Sequence, residues 1–282
     1  MMPAPPLPPL PTPEPLHKVQ YVIEIAGPRS MPASQAKAVL EPTWQSALGH
    51  PSCFVMGPSD TRWRSLEADD STASYDSLAL AWDLVGPMGD LHAASAQRLL
   101  DAVEPLATSL QRRAMPLPVP DEIDARVASL KEILAALDIG IEVMLVFPNG
   151  GTTDRELAEW AGEMDLKPTD DGFAWNVEGW DEPLLTLNRA LDEPPFNPDA
   201  SFLRQTASIG FNLPRCPAPL AVLDALITLS ADAEATFQAA CVIDEAMARP
   251  SMLRDFLPQA IAAFDSVGIR PGSGEARRIF AG

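Results

Sequence analysis

Apolar and polar residues alternate with period two at several places along the chain, separated by stretches whose apolar positions fall three and four apart. From His17 the order reads strand, helix, two or three strands, then two helices, and after Asp138 much the same order begins again. The first strand of each half alternates in one phase, Val19, Tyr21, Ile23 and Ile25 in the first and Ile141, Val143, Leu145 and Phe147 in the second. Each is followed by a Pro/Gly turn and a helix, predicted over 34–48 and 154–164. A later strand repeats as well, Leu78, Leu80, Trp82 and Leu84 against Ala207, Ile209, Phe211 and Leu213. Each half closes on an amphipathic helix, with stripes Ile123, Val127, Leu130, Leu134, Leu137 and Met252, Phe256, Ala260, Ala263, Val267. Both helices run into a similar tripeptide, Ile139-Gly140-Ile141 and Val267-Gly268-Ile269.

Strands broken by polar residues fit antiparallel sheets with one face on helices, not the continuous apolar runs of buried parallel strands. The chain is therefore expected to be α+β, with two tandem split β-α-β domains over 17–138 and 139–282, each a sheet covered on one face. Residues 1–16 carry eight prolines and read as an extended linker or tail outside any core. What occupies the second face of each sheet becomes the question about function.

Charge narrows the partners. With 39 acidic and 20 basic residues among 282 and a net charge of -19, the chain lacks the basic clusters that bind nucleic acid or anionic lipid. Its three cysteines, Cys53, Cys216 and Cys241, are far apart and form no CxxC, so neither a disulfide framework nor a zinc site is indicated. No run approaches the roughly 20 apolar residues of a membrane span, and no signal peptide is recognisable, so a cytoplasmic location is expected.

Catalytic chemistry finds little support. His17, His50 and His92 sit in separate segments, with His92 placed to cap a helix. Cys216 precedes a helix, whose N-terminus would acidify its thiol somewhat, but it has no histidine nearby in sequence. The stretch from Phe147 to Asp154 resembles a phosphate loop only superficially, since it lacks the lysine. It reads better as a turn at Asn149-Gly150-Gly151 followed by a capping box of Thr153 and Glu156. No nucleophile–base pair, cofactor motif or metal set is visible, and no enzyme is expected. Acids gather at Asp165, Asp170, Asp171, Glu178, Asp181, Glu182, Asp192 and Glu193, a rim suited to a basic partner.

The faces opposite the core differ between the halves. The first strand presents Gln20, Val22 and Glu24 in one and Glu142, Met144 and Val146 in the other; the middle strands of the second half also hold Phe173, Trp175, Val177, Trp180, Leu185 and Leu187, which alternation alone assigns neither to this face nor to the core. A sheet face rich in Met and aromatic residues suggests docking of a peptide or helix; the alternatives are that these residues are ordinary core or that the faces of the two copies cover each other.

Several short matches in order carry a family resemblance. Ile209-Gly-Phe-Asn-Leu-Pro-Arg215 with the helix after it, Cys241-Val-Ile-Asp-Glu245, Gly268-Ile-Arg-Pro-Gly-Ser273 and Ala276-Arg-Arg-Ile-Phe280 resemble the carboxy-terminal domain of ZipA-type bacterial cell division proteins. The resemblance covers the second half well and the first loosely. It implies a non-enzymatic adaptor without cofactors, whose open sheet face binds the carboxy-terminal tail of FtsZ at the division septum. The positions on corresponding strands are Met144, Val146, Phe173, Trp175, Leu185 and Leu187. Such proteins are anchored in the inner membrane, and here that association is expected only through an anchor this chain does not carry. The alternative is a regulatory module with a small-molecule cleft between the two domains.

Overall fold

The computed structural model describes residues 4–69, 74–87, 89–148, 150–190, 193–199, 202–243 and 252–280. The chain divides into two compact units, Pro11–Ala135 and Ala136–Phe280, with the described residues 4–10 grouped with the second. Helices and antiparallel sheets together make the chain α+β.

In the first unit β1 (Gln20–Pro32), β2 (Ser52–Met56), β3 (Arg64–Ser65), β4 (Ser74–Asp83) and β5 (Arg113–Leu117) form one antiparallel sheet in the order β3-β2-β4-β1-β5. Around it run α1 (Ala33–Lys37), α2 (Pro42–Leu48), α3 (Ala93–Ser109) and α4 (Ile123–Leu137). The single helix expected over 34–48 is broken at Glu41, which is extended at φ -61° and ψ 140°. Proline at 42 explains this, because its ring disfavours the helical region for the residue before it. The helical side of the sheet buries Tyr21, Ile23, Ile25, Leu78 and Leu80. Trp82 Nε1 donates to the Leu48 carbonyl at 2.7 Å, and the Tyr21 hydroxyl to the Ala96 carbonyl at 3.3 Å, so α2 and α3 are pinned to it. His92 stands at the N-cap of α3 without a capping hydrogen bond from its side chain. Asp124 of α4 takes that role, accepting from the Ala93 N–H at 3.2 Å.

Between Ala26 and Met31 the register of β1 shifts. Arg112, only 7% exposed, holds this irregularity by donating to the carbonyls of Ile25 and Tyr75, both at 3.3 Å, and of Arg29 and Asp76. Of the Pro-rich segment, Pro15 is buried, while Thr12, Pro13 and Glu14 are exposed.

In the second unit β6 (Gly140–Val146), β8 (Lys167–Pro168), β9 (Gly172–Trp175), β10 (Leu185–Arg189), β12 (Thr206–Asn212) and β13 (Ala240–Val242) form a sheet ordered β13-β6-β12-β10-β9-β8. A separate pair joins β7 (Thr152–Thr153) to β11 (Leu203–Arg204). The helices are α5 (Asp154–Glu163), α6 (Pro219–Phe237), α7 (Leu253–Ser266) and α8 (Gly274–Ile279).

The central ladders of the two units share a register. Tyr21, Ile23 and Ile25 face Trp82, Leu80 and Leu78, as Ile141, Val143 and Leu145 face Phe211, Ile209 and Ala207. The Leu84 N–H bond to the Val19 carbonyl, at 3.0 Å, has its counterpart from Leu213 to Ile139 at 3.0 Å. Tyr21 is thus the equivalent of Ile141, a shift from the sequence alignment that set Val19 opposite Ile141. The outer strands break the likeness: β2 then β3 follow β4, whereas β10, β9 and β8 follow β12, so the chain threads them in opposite sense.

Helix α7 corrects the periodicity reading. It buries Leu253, Leu257, Ala260 and Phe264, while Met252, Phe256 and Val267 of the expected stripe are exposed. Two apolar stripes interleave on this helix and share Ala260, and Phe264 anchors the buried one with its ring 6.0 Å from Phe280. Elsewhere Arg204, wholly buried, binds Asp154 at the start of α5, Glu193 at 2.9 Å and the Pro194 carbonyl at 2.9 Å, under the Phe196 ring. This ion cluster fastens the segment after β10 to the first turn of α5.

Candidate peptide-binding face

Directly opposed residues of an antiparallel ladder point to the same side, so the registers assign every strand residue of the second sheet to a face. Ile141, Val143 and Leu145 point to the helical side, where Cys241, Ala207, Ile209 and Phe211 join them. The helix-free side carries Glu142, Met144 and Val146 on β6, Ala240 and Val242 on β13, Thr206, Ser208 and Gly210 on β12, and Thr186 and Asn188 on β10.

Only two of the six expected groove residues belong to this second face. Met144 is 47% exposed and Val146 36%, side by side on β6. Phe173, Trp175, Leu185 and Leu187 are between 0% and 6% exposed. They are core, and the reason is register: Leu187 pairs with Ile209, which pairs with Val143, and Phe173 and Trp175 pair with Leu187 and Leu185. Phe173 is further closed off by Phe196, with ring centroids 5.3 Å apart. Met144 and Trp175 therefore cannot line one groove.

The face that does exist is an apolar strip beside a floor of small residues. Val242 and Ala240, both half-buried, flank Met144 and Val146 on one side, and Ser208 and Thr206 flank them on the other. Gly210 continues the floor: a Cβ there would meet the Ile141 carbonyl oxygen at 2.6 Å, so the ladder admits no side chain. A cavity of about 310 Å³ lined by Glu182, Leu184, Thr186, Gly210, Asn212 and Arg215 adjoins this end of the face. The phase of β12 was legible, since Ala207, Ile209 and Phe211 inward put Thr206, Ser208 and Gly210 outward. Val242 was not, because a three-residue strand offers no alternation to read.

The acidic rim is partly spent on the protein's own arginines. Glu182 accepts from Arg215 at 2.7 and 2.9 Å and from Arg277 at 2.7 Å, while Asp181 accepts from Arg277 at 2.7 Å. Burial pushes Glu182 upward, but the hydrogen bonds from Arg215 and Arg277 outweigh it and hold the carboxyl below its usual range. Glu193 is committed to Arg204, and Asp192 lies outside the described residues. Glu142, Asp170, Asp171 and Glu178 remain exposed.

The capping box of Thr153 and Glu156 is present, with the Glu156 N–H donating to Thr153 Oγ1 at 3.2 Å, and Glu156 is held below its usual range by the Thr153 N–H first of all. Asn149 of the expected turn lies outside the described residues. Cys216 is not acidified: burial pushes its thiol up to about 12, against Cys241 at about 12 and Cys53 at about 11. Among the described residues no group of three or more His, Cys, Asp or Glu could hold a metal ion, and no helix is long and apolar enough to cross a membrane. Compared with known proteins, the chain matches no family model and no curated sequence.

Proposed function

We propose that the chain is a non-enzymatic adaptor of bacterial cell division, acting at the septum, whose second unit binds the carboxy-terminal tail of FtsZ. The observation that carries this reading is the exposed pair Met144 and Val146 on the helix-free face of a sheet whose other face is fully packed. The order of short matches to ZipA-type domains supports it independently of the face. An extended tail laid across β13, β6 and β12 would set its apolar side chains on Val242, Met144 and Val146. Ser208 and Gly210 allow its backbone close approach. Glu142, on the same face, gives basic tail residues a partner and speeds encounter.

A strip this narrow supports micromolar affinity, about -8 kcal/mol, because lost freedom offsets much of the burial. The test is titration with a fluorescent peptide copied from the FtsZ tail of the same organism, at two salt concentrations. Saturable micromolar binding that weakens modestly with salt is expected. Absence of binding at about 300 μM, a free energy near -5 kcal/mol, would overturn the proposal.

A further inference from the structure

In the first unit a cavity of about 470 Å³ opens between the irregular stretch of β1 and the end of α3. Its polar lining is Arg29, Ser30, Gln35, Ser109, Gln111 and Arg112, and none of the described lining residues is acidic. The chain as a whole has 39 acidic residues to 20 basic ones, so a cavity with two arginines and no carboxylate runs against its composition.

The two arginines differ in their surroundings. Arg112 is 7% exposed, and among the described residues its side chain donates to carbonyls alone, those of Ile25, Arg29, Tyr75 and Asp76. These bonds satisfy its hydrogens but bring no opposite formal charge into contact, and a buried charge without a counter-ion is costly. Burial pushes the guanidinium below its usual value, and the Asp76 charge offsets part of that. Because the Arg29 carbonyl it binds belongs to a lining residue, the Arg112 charge lies against the cavity wall, where low dielectric strengthens its field. Arg29 is exposed, and its guanidinium makes no hydrogen bond or ion pair with a described residue. Asp76 is outside the lining and accepts from Ser30 Oγ at 2.6 Å. Two arginines against one aspartate leave the balance positive.

We infer that this cavity binds a small phosphate ester, with Arg29 grasping the phosphate and Arg112 stabilising it from within the wall. Two guanidinium groups match a group that carries nearly two negative charges near neutral pH, and the planar fork of arginine fits phosphate oxygens in pairs. The volume exceeds what a bare ion fills and falls in the range of about 300–1,000 Å³ usual for small-molecule sites. The remainder of the ligand is hydroxyl-rich, because Gln35 and Gln111 offer both donors and acceptors to it. This site is independent of the peptide-binding face of the second unit.

The test follows backbone amide shifts of the full chain at low ionic strength as glucose 6-phosphate, inorganic phosphate or glucose is added. Glucose 6-phosphate should shift Ser30, Gln35, Gln111 and Arg112 together and saturate with a millimolar or tighter constant. Inorganic phosphate should shift the same amides at least fivefold more weakly, and glucose should shift none of them. Arg29→Gln removes the free guanidinium and leaves the Arg29 carbonyl in place, so the melting temperature should hold while binding weakens about tenfold. Arg113→Gln, at an exposed arginine outside the lining, should bind as the natural chain does. No saturation by about 30 mM glucose 6-phosphate, equal affinity for inorganic phosphate, shifts centred on other residues, or equal effects of Arg29→Gln and Arg113→Gln would each overturn the inference.

Discussion

Met144→Lys places an ammonium group on the helix-free face, flanked by Ser208 and Val242 on the neighbouring strands. The methionine is 47% exposed. A docked peptide thus has about 90 Å² of its surface left to cover, roughly 2 kcal/mol at about 25 cal/mol per Å². Lysine forgoes that gain and must also be desolvated, so tail binding should weaken by more than about tenfold, or about 1.4 kcal/mol. In the free protein the lysine stem can lie over the same surface with its head in water, and the cost to stability should stay below about 1 kcal/mol. Trp175→Ala is the contrast, because removing a buried indole costs about 3–5 kcal/mol and would weaken binding only by unfolding the unit. Fluorescence anisotropy for affinity and thermal melting for stability, run on both variants, separate the two. Normal binding by Met144→Lys would refute the groove assignment. A melting temperature lowered as far as in Trp175→Ala would instead make Met144 a core residue.

Arg112→Ala strips four backbone carbonyls of a buried charged donor and should cost about 3 kcal/mol, read by urea denaturation, with Arg112→Lys restoring little because an ammonium cannot span the fork. For Glu182, whose folded carboxyl is depressed, the stabilisation is fully present above the unfolded value of about 4.3 and is lost as pH falls through the folded one. Melting temperatures of the natural chain and Glu182→Gln should therefore differ most near neutral pH and converge only once pH has fallen through the folded value. With burial raising all three thiols, Cys53, Cys216 and Cys241 should resist a thiol reagent near neutral pH in the native state and react together on unfolding; a fast-reacting thiol in the folded protein would contradict their placement.

Alternation was a good guide where strands were long. The phase of Ile141, Val143 and Leu145 alone put Met144 and Val146 outward, as the structure has them. It failed where faces had to be matched across strands, since register comes from pairing: Phe173, Trp175, Leu185 and Leu187 alternate as cleanly and point the other way. Helix α7 misled for a related reason, carrying two stripes of equal spacing from which only packing chooses.

The most direct measurement is a map of backbone amide shifts in the full chain as the FtsZ-tail peptide is added. The expected result is a contiguous set of changes at Met144, Val146, Ser208, Gly210 and Val242, saturating with a micromolar constant. Changes centred instead on the exposed side of α7, at Met252, Phe256 and Val267, would contradict the assignment of the tail to the helix-free face of the sheet.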